Sequence, residues 1–212
     1  MTPQDASSYT ESLCHRAPVI PVLVVDDIDA AIPLAQALVT GGLPVLEVTL
    51  RTPVAMSVIR EMSQVPGGIV GAGTVLTPED AENAKAAGAQ FAVSPGATDR
   101  LLGACEEIGL PILPGAATAS EAMALLERGY TTQKFFPAEV AGGAAMLKSL
   151  SSPLPQILFC PTGGISHENA HDYLALPNVA CVGGSWVAPK DLLRAGDWGR
   201  ILELAKEAAR LH

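Results

Sequence analysis

The chain has 212 residues, 13 of them basic and 22 acidic, and a formal net charge of −9, a balance that argues against nucleic acid or an anionic membrane as its main partner. With 49% hydrophobic and 17% charged residues there is material for one sizeable core, and no apolar stretch reaches the roughly 18 residues of a membrane-spanning helix. The four cysteines, Cys14, Cys105, Cys160 and Cys181, form no C-x-x-C pair, so neither a zinc knuckle nor a disulfide framework is expected.

The opening segment, MTPQDASSYTES, lacks the basic start and apolar middle of a secretory signal, which with unpaired cysteines points to a reduced, cytoplasmic protein. Residues 1–16 read as an N-terminal extension or helix on a single domain spanning 1–212. From there, short apolar runs alternate with amphipathic stretches. Strands are expected near Val19 to Val25, Val45 to Leu50, Ile69 to Thr74, Phe91 to Ser94, Ile112 to Pro114, Thr132 to Phe136, Gln156 to Cys160 and Val179 to Val182. Helices between them should open at the capping hydroxyls of Thr52, Thr77, Thr98 and Ser120 and stop at Gly41, Gly88, Gly109 and Gly129, because a hydroxyl accepts an orphan N–H and glycine takes the left-handed conformation. A last helix runs from about Asp197 to Leu211. The alternation predicts an α/β fold, a (β/α)₈ TIM barrel, with an open doubly wound sheet as the structural competitor.

On the second strand, alternation puts Glu47, Thr49 and Arg51 on one face and Leu46, Val48 and Leu50 on the other. In a barrel the apolar set faces the helices and the carboxylate points inward, toward the end where barrels carry their chemistry. A Glu–Arg pair that merely neutralises itself fits the same pattern. The sixth strand repeats the logic with Thr132, Lys134 and Phe136. An inward lysine loses favour for its ammonium form, which can supply a free amine for a Schiff base. The other reading of Lys134 is a snorkelling side chain with its stem on Phe136. Lys85, Lys148, Lys190 and Lys206 fall on helix surfaces or loops. After the seventh and eighth strands come Gly163-Gly164 and Gly183-Gly184-Ser185, two glycine turns where barrels bind phosphate through backbone N–H groups.

Two motif matches are weaker. His167-Glu168-Asn169-Ala170-His171 fits H-E-x-x-H, but no third ligand accompanies it, and histidines on a helix surface are the ordinary explanation. Gly71-Ala72-Gly73 follows a strand, yet Leu76 stands where a dinucleotide fingerprint needs glycine, so nucleotide binding is not expected.

Taken together, Leu46 to Arg51, Gly71 to Leu76, Ser94-Pro95-Gly96, Leu113-Pro114-Gly115, Lys134 to Glu139, Phe159 to Ile165 and Gly183 to Trp186 resemble the motifs of the 2-keto-3-deoxy-6-phosphogluconate (KDPG) and 4-hydroxy-2-oxoglutarate (KHG) aldolase family, in order and from about Pro18 to the last helix. The resemblance implies a class I aldolase with Lys134 as Schiff-base nucleophile and Glu47 as proton shuttle. It implies Arg51 and Thr74 on the substrate carboxylate, Pro95 and Phe136 as pocket walls, Thr162 on the substrate hydroxyls, and Gly163, Gly164, Gly184 and Ser185 on the phosphate. It further implies a keto-acid sugar phosphate substrate of gluco stereochemistry, no metal or other cofactor, and a homotrimer. A zinc hydrolase on His167 and His171, or a non-catalytic sugar-phosphate-binding barrel, are the competing functions.

Overall fold

In the computed structural model, which describes residues 1–211, the chain opens with a capped helix. The Thr2 hydroxyl accepts from Asp5 N and the Asp5 carboxylate accepts from Thr2 N, a reciprocal box that starts α1 (Pro3–Cys14). Strands and helices then alternate: β1 (Val19–Leu23), α2 (Ala31–Thr40), β2 (Val45–Thr49), α3 (Ala55–Met62), β3 (Ile69–Gly73), α4 (Pro78–Ala86), β4 (Phe91–Val93) and α5 (Asp99–Ile108). They continue through β5 (Ile112–Leu113), β6 (Gly115–Ala116), α6 (Ala119–Arg128), β7 (Thr132–Phe135), α7 (Gly143–Leu150), β8 (Leu158–Pro161), α8 (Ala170–Leu174), β9 (Val182–Gly184), α9 (Lys190–Ala195) and α10 (Trp198–Ala208).

Every strand pairing is parallel, in the orders β5-β4-β3-β2-β1-β9 and β6-β7-β8. Two bridges, Phe159 to Val179 and Thr162 to Gly183, join β8 to the neighbourhood of β9 and complete the ring. Pro114 separates β5 from β6 because proline has no N–H for the ladder. Its carbonyl still accepts from Lys134 N at 2.8 Å, so Ile112–Ala116 acts as one barrel strand that pairs first with β4 and then with β7. The barrel, rather than the open doubly wound sheet, is what the chain forms.

Several expected boundaries shift for local reasons. Thr52 does not cap α3, since its hydroxyl donates to the Val25 carbonyl at 2.8 Å and the helix starts at Ala55. Thr118, not Ser120, caps α6, accepting from Glu121 N while the Glu121 carboxylate accepts from Thr118 N. At the end of α2 it is Gly42 that has positive φ (+95°), whereas Gly41 remains right-handed. The eighth barrel strand starts at Val182 rather than Val179, which contributes only its isolated bridge.

The barrel interior is layered. Val45, Phe91, Val93, Leu113, Cys160 and Cys181 fill its lower part, and Leu13 and Cys14 of α1 close the bottom. That helix is fixed by Ser7, whose hydroxyl accepts from Thr131 N and Thr132 N at 2.8 and 3.1 Å, under the start of β7. Outside, Leu46, Val48, Val70, Ala72 and Phe159 pack against the helices. The alternation along β2 thus sorts its side chains as the pleat requires.

Candidate active site

Above the apolar layer two ionisable residues meet inside the barrel. Lys134 of β7 and Glu47 of β2 project inward from opposite parts of the ring, with Lys134 Nζ 3.2 Å from Glu47 Oε1 and side chains only 5% and 4% exposed. Two glycines make the space: a Cβ on Gly73 would lie 2.3 Å from Glu47 Oε1, and one on Gly71 would strike the Phe91 ring. The lysine also sits 5.3 Å from the centroid of the Phe136 ring, a cation–π contact that orients the amine. Its nitrogen is therefore aimed at the acid and kept from bulk solvent, not snorkelling to the surface.

The remaining candidate residues cluster at the C-terminal ends of the strands. Arg51 follows β2 and donates through Nε to the Thr74 hydroxyl at 3.2 Å. Thr74 follows β3 at φ +60°, a left-handed conformation that a β-branched residue adopts only under strain of about 1–3 kcal/mol. Arg51 itself is exposed, so no Glu47–Arg51 neutralisation occurs; the partner of Glu47 is Lys134.

Arg51, Phe136, Thr162, Gly163, Gly164 and Ser185 border a cleft of about 370 Å³. The Thr162 Oγ1 is buried and has no hydrogen-bond partner. Gly163 and Gly164 have φ of +102° and +80°. A Cβ at Gly163 would press on Phe136, and one at Gly164 on the Glu139 side chain, so the turn needs glycine for both conformation and space. Asn169 secures it, accepting from Ser166 N and donating to the Gly164 carbonyl. The Tyr173 hydroxyl donates to Glu139 beneath it, and burial together with the Glu139 contact pushes the Tyr173 phenol pKa up.

Five expected positions do not border this cleft: Lys134 and Glu47, the amine lying 5.3 Å from the ring centroid of Phe136, which does border it; Thr74, which reaches it only through Arg51; Pro95; and Gly184. Pro95 packs under Gly115, where a Cβ would lie 2.3 Å from the Pro95 carbonyl carbon. Gly184 lies beneath the Trp186 ring, and Gly183 is the bordering glycine, kept small by Thr162. The cleft also has a cation that strand alternation does not reveal. Lys190, at the start of α9, stands at the mouth beside Pro189. Its nearness in sequence to the Gly183-Gly184-Ser185 turn is the one signal that points to it.

Neither weaker motif builds a site. His167 precedes α8, which begins at Ala170, so His167 and His171 do not share a helix face as H-E-x-x-H requires. Among the described residues, the group of His, Cys, Asp or Glu side chains close enough to share an ion is Cys14, Cys160 and Cys181. Hydrogen bonds from Cys14 and Cys181, reinforced by the Lys134 charge, hold the Cys160 thiol well below the ordinary cysteine range. Hydrogen bonding within the cluster, with burial, pushes Cys14 and Cys181 up.

The family model described as KDPG and KHG aldolase matches residues 10–204. A 2-dehydro-3-deoxy-phosphogluconate aldolase of Pseudoalteromonas atlantica is 51% identical over 200 residues, 94% of this chain and 93% of the relative. The KHG/KDPG aldolase of Escherichia coli K12 is 52% identical over 199 residues, with 93% of both chains covered. Among solved structures, the KDPG aldolase of Legionella pneumophila, with pyruvate captured at low pH as a covalent carbinolamine intermediate, superposes with a TM-score of 0.91 at 48% identity, covering 94% of this chain and 97% of that one. With a family match across most of its length and relatives at about half identity, this chain belongs to the KDPG and KHG aldolase family.

Proposed function

We propose that the protein is a class I aldolase that cleaves 2-keto-3-deoxy-6-phosphogluconate to pyruvate and glyceraldehyde 3-phosphate, and 4-hydroxy-2-oxoglutarate to pyruvate and glyoxylate. The observation that carries this reading is the buried contact of 3.2 Å between Lys134 Nζ and Glu47 Oε1, with the amine 5.3 Å from the ring centroid of Phe136, which borders the cleft of the Gly163-Gly164 turn.

The chemistry follows from the pair. Lys134 passes a proton to Glu47 and its free amine attacks C2 of the keto acid. Glu47 returns that proton to the carbinolamine hydroxyl, which leaves as water, and a protonated iminium remains. The Glu47 carboxylate then removes the C4 hydroxyl proton, through water. Electrons of the C3–C4 bond move into the iminium, giving an enamine on Lys134 and a free aldehyde. Protonation at C3 and hydrolysis release pyruvate and restore the amine. The iminium is itself the electron sink, so the cycle needs no Lewis acid. The carbinolamine held by the Legionella relative is an intermediate of this kind.

Arg51, fixed by the Thr74 hydroxyl, takes the substrate carboxylate in a planar fork. Phe136 and Pro95 wall the methylene, and the unpartnered Thr162 hydroxyl bonds a sugar hydroxyl, selecting the gluco substrate. Backbone N–H groups of Gly163, Gly164, Gly184 and Ser185 receive the phosphate, and Lys190 adds a positive charge at the mouth. The expected setting is cytoplasmic, from the unpaired cysteines and the polar opening segment, with a single-domain subunit; a homotrimer is what the family resemblance implies, and light scattering in solution tests it.

The decisive experiment is borohydride reduction in the presence of pyruvate, followed by peptide mass analysis. The expected result is one reduced pyruvyl adduct on Lys134, loss of activity, and the same trapping in the presence of a strong chelator. An active enzyme whose Lys134 stays unmodified ends the proposal.

A further inference from the structure

The cysteine spacing in the sequence suggests no metal-type site, yet folding brings three of the four thiols to one point. Cys14 ends α1, Cys160 lies in β8 and Cys181 immediately precedes β9. Their sulfurs all lie within 4.8 Å of one another, and the Cys181 thiol donates to Cys160 Sγ at 3.5 Å. All three are buried, among Leu13, Ile20, Phe91 and Leu113. Cysteine often serves simply as a small apolar filler, but fillers do not need sulfurs from three separate elements to converge.

The span suits one small thiophilic centre. An ion with sulfur at about 2.3 Å in a trigonal arrangement holds its ligands about 4 Å apart. Zinc in a structural site takes a fourth protein ligand, and among the described residues no His, Asp or Glu joins the cluster. Charge decides among three-coordinate soft centres. Copper(I) on two or three thiolates leaves net negative charge in an apolar layer, which costs several kcal/mol unless paired. Trivalent arsenic on three sulfurs is neutral.

We propose that Cys14, Cys160 and Cys181 form a closed trithiol site for trivalent arsenic. Arsenous acid reacts with the three thiols to give three As–S bonds in place of three As–O bonds. Each hydroxyl leaves as water, with a proton from its thiol or, where the sulfur is already a thiolate as favoured at Cys160, from solvent, and arsenic stays trivalent, so no oxidant or reductant enters. Because Cys14 comes from α1, the adduct staples the helix that closes the barrel bottom to β8 and the start of β9. Entry requires α1 to lift, so uptake is slow.

The test is incubation of the reduced, full-length protein with arsenite, read by intact mass and by protection of cysteines from alkylation after unfolding. The expected outcome is one arsenic per chain with Cys14, Cys160 and Cys181 protected and Cys105 alkylated, together with a raised thermal midpoint. In Cys14→Ala, loss of one arm of the chelate should weaken binding by about 10²–10⁴-fold; Cys181→Ala should do the same, and Cys105→Ala should bind like the parent. A parent protein that takes up no arsenic while all four thiols alkylate on unfolding overturns the proposal, as does a folded Cys14→Ala that binds unchanged. A parallel incubation with copper(I) and a competing chelator that shows tighter binding than arsenite overturns the charge argument. Aldolase turnover of Cys14→Ala, measured separately, keeps this outcome distinct from that of the borohydride experiment.

Discussion

Two ion pairs in this molecule have nearly the same separation and opposite surroundings. On the outside, Arg128 grips Glu106 with two bonds, Nε to Oε1 at 2.9 Å and Nη2 to Oε2 at 3.1 Å. Tyr130 adds a third to the same carboxylate and Asp99 accepts from Arg128 Nη1 at 2.7 Å. Inside the barrel, Lys134 and Glu47 are almost wholly buried and share a single bond of 3.2 Å. A forked, many-partnered pair fixes geometry, whereas a dry pair with one contact is poorly satisfied and is retained for reactivity at some cost in stability.

The largest effect expected from this contrast is on turnover. Lys134→Met should lower kcat/KM by at least about 10⁴-fold, since no other amine can form the covalent intermediate. It should also destabilise the fold by roughly 3–5 kcal/mol, because it strands the Glu47 carboxylate. Adding Glu47→Leu should then recover that loss, and urea titration of single and double variants separates the two effects. A double variant as unstable as the single one would mean that the inner pair holds the barrel together and that the contrast is mistaken. Glu47→Gln should cost about 10²–10⁴-fold in kcat while borohydride still traps pyruvate slowly on Lys134; full turnover in this variant would remove the proton shuttle from the scheme.

The outer pair should behave in the reverse way. Burial tends to raise the Glu106 pKa, but the bonds from Arg128 and Tyr130 prevail and leave it lowered. A carboxylate with a lower pKa folded than unfolded contributes stability above its unfolded value, near 4.3, and that contribution is lost as pH falls through the folded value. Glu106→Gln should therefore reduce stability by about 1 kcal/mol at pH 7, the pair being partly exposed and screened, and should reduce the acid sensitivity of unfolding. Turnover should stay at the parental level. Urea midpoints at pH 7 and pH 3 measure both.

The inner pair is legible in the sequence because strand alternation leaves little freedom: Glu47 between Leu46 and Val48, and Lys134 between Gln133 and Phe135, must point away from the helices. What alternation cannot convey is distance across the ring, which depends on Gly71 and Gly73 clearing space on a neighbouring strand. The cysteine cluster escapes a linear reading for the same reason, since Cys14, Cys160 and Cys181 meet only once α1 docks under the barrel. Capping is legible where a hydroxyl has no better acceptor, as at Thr77 and Thr98. It misleads at Thr52, where the Val25 carbonyl across the barrel mouth competes. Lys190 is a surface lysine in both sequence and structure, but its place in the chain does not show that this surface is the rim of the cleft.

Lys190 also sets the smallest and most specific extension of the comparison, a charge with no buried partner at all. Exposed and solvated, it should add little to the fold, and its attraction for an anion should be screened by salt. Lys190→Ala should leave stability within about 0.5 kcal/mol of the parent. For the phosphorylated keto acid it should raise KM by roughly 10-fold at low ionic strength, one lost charge–phosphate contact being worth about 1 kcal/mol or slightly more, with kcat unchanged. For 4-hydroxy-2-oxoglutarate, which carries no phosphate, KM should not move. Equal losses on the two substrates would place Lys190 on the shared carboxylate instead, so that it and Arg51 would divide the binding of that group.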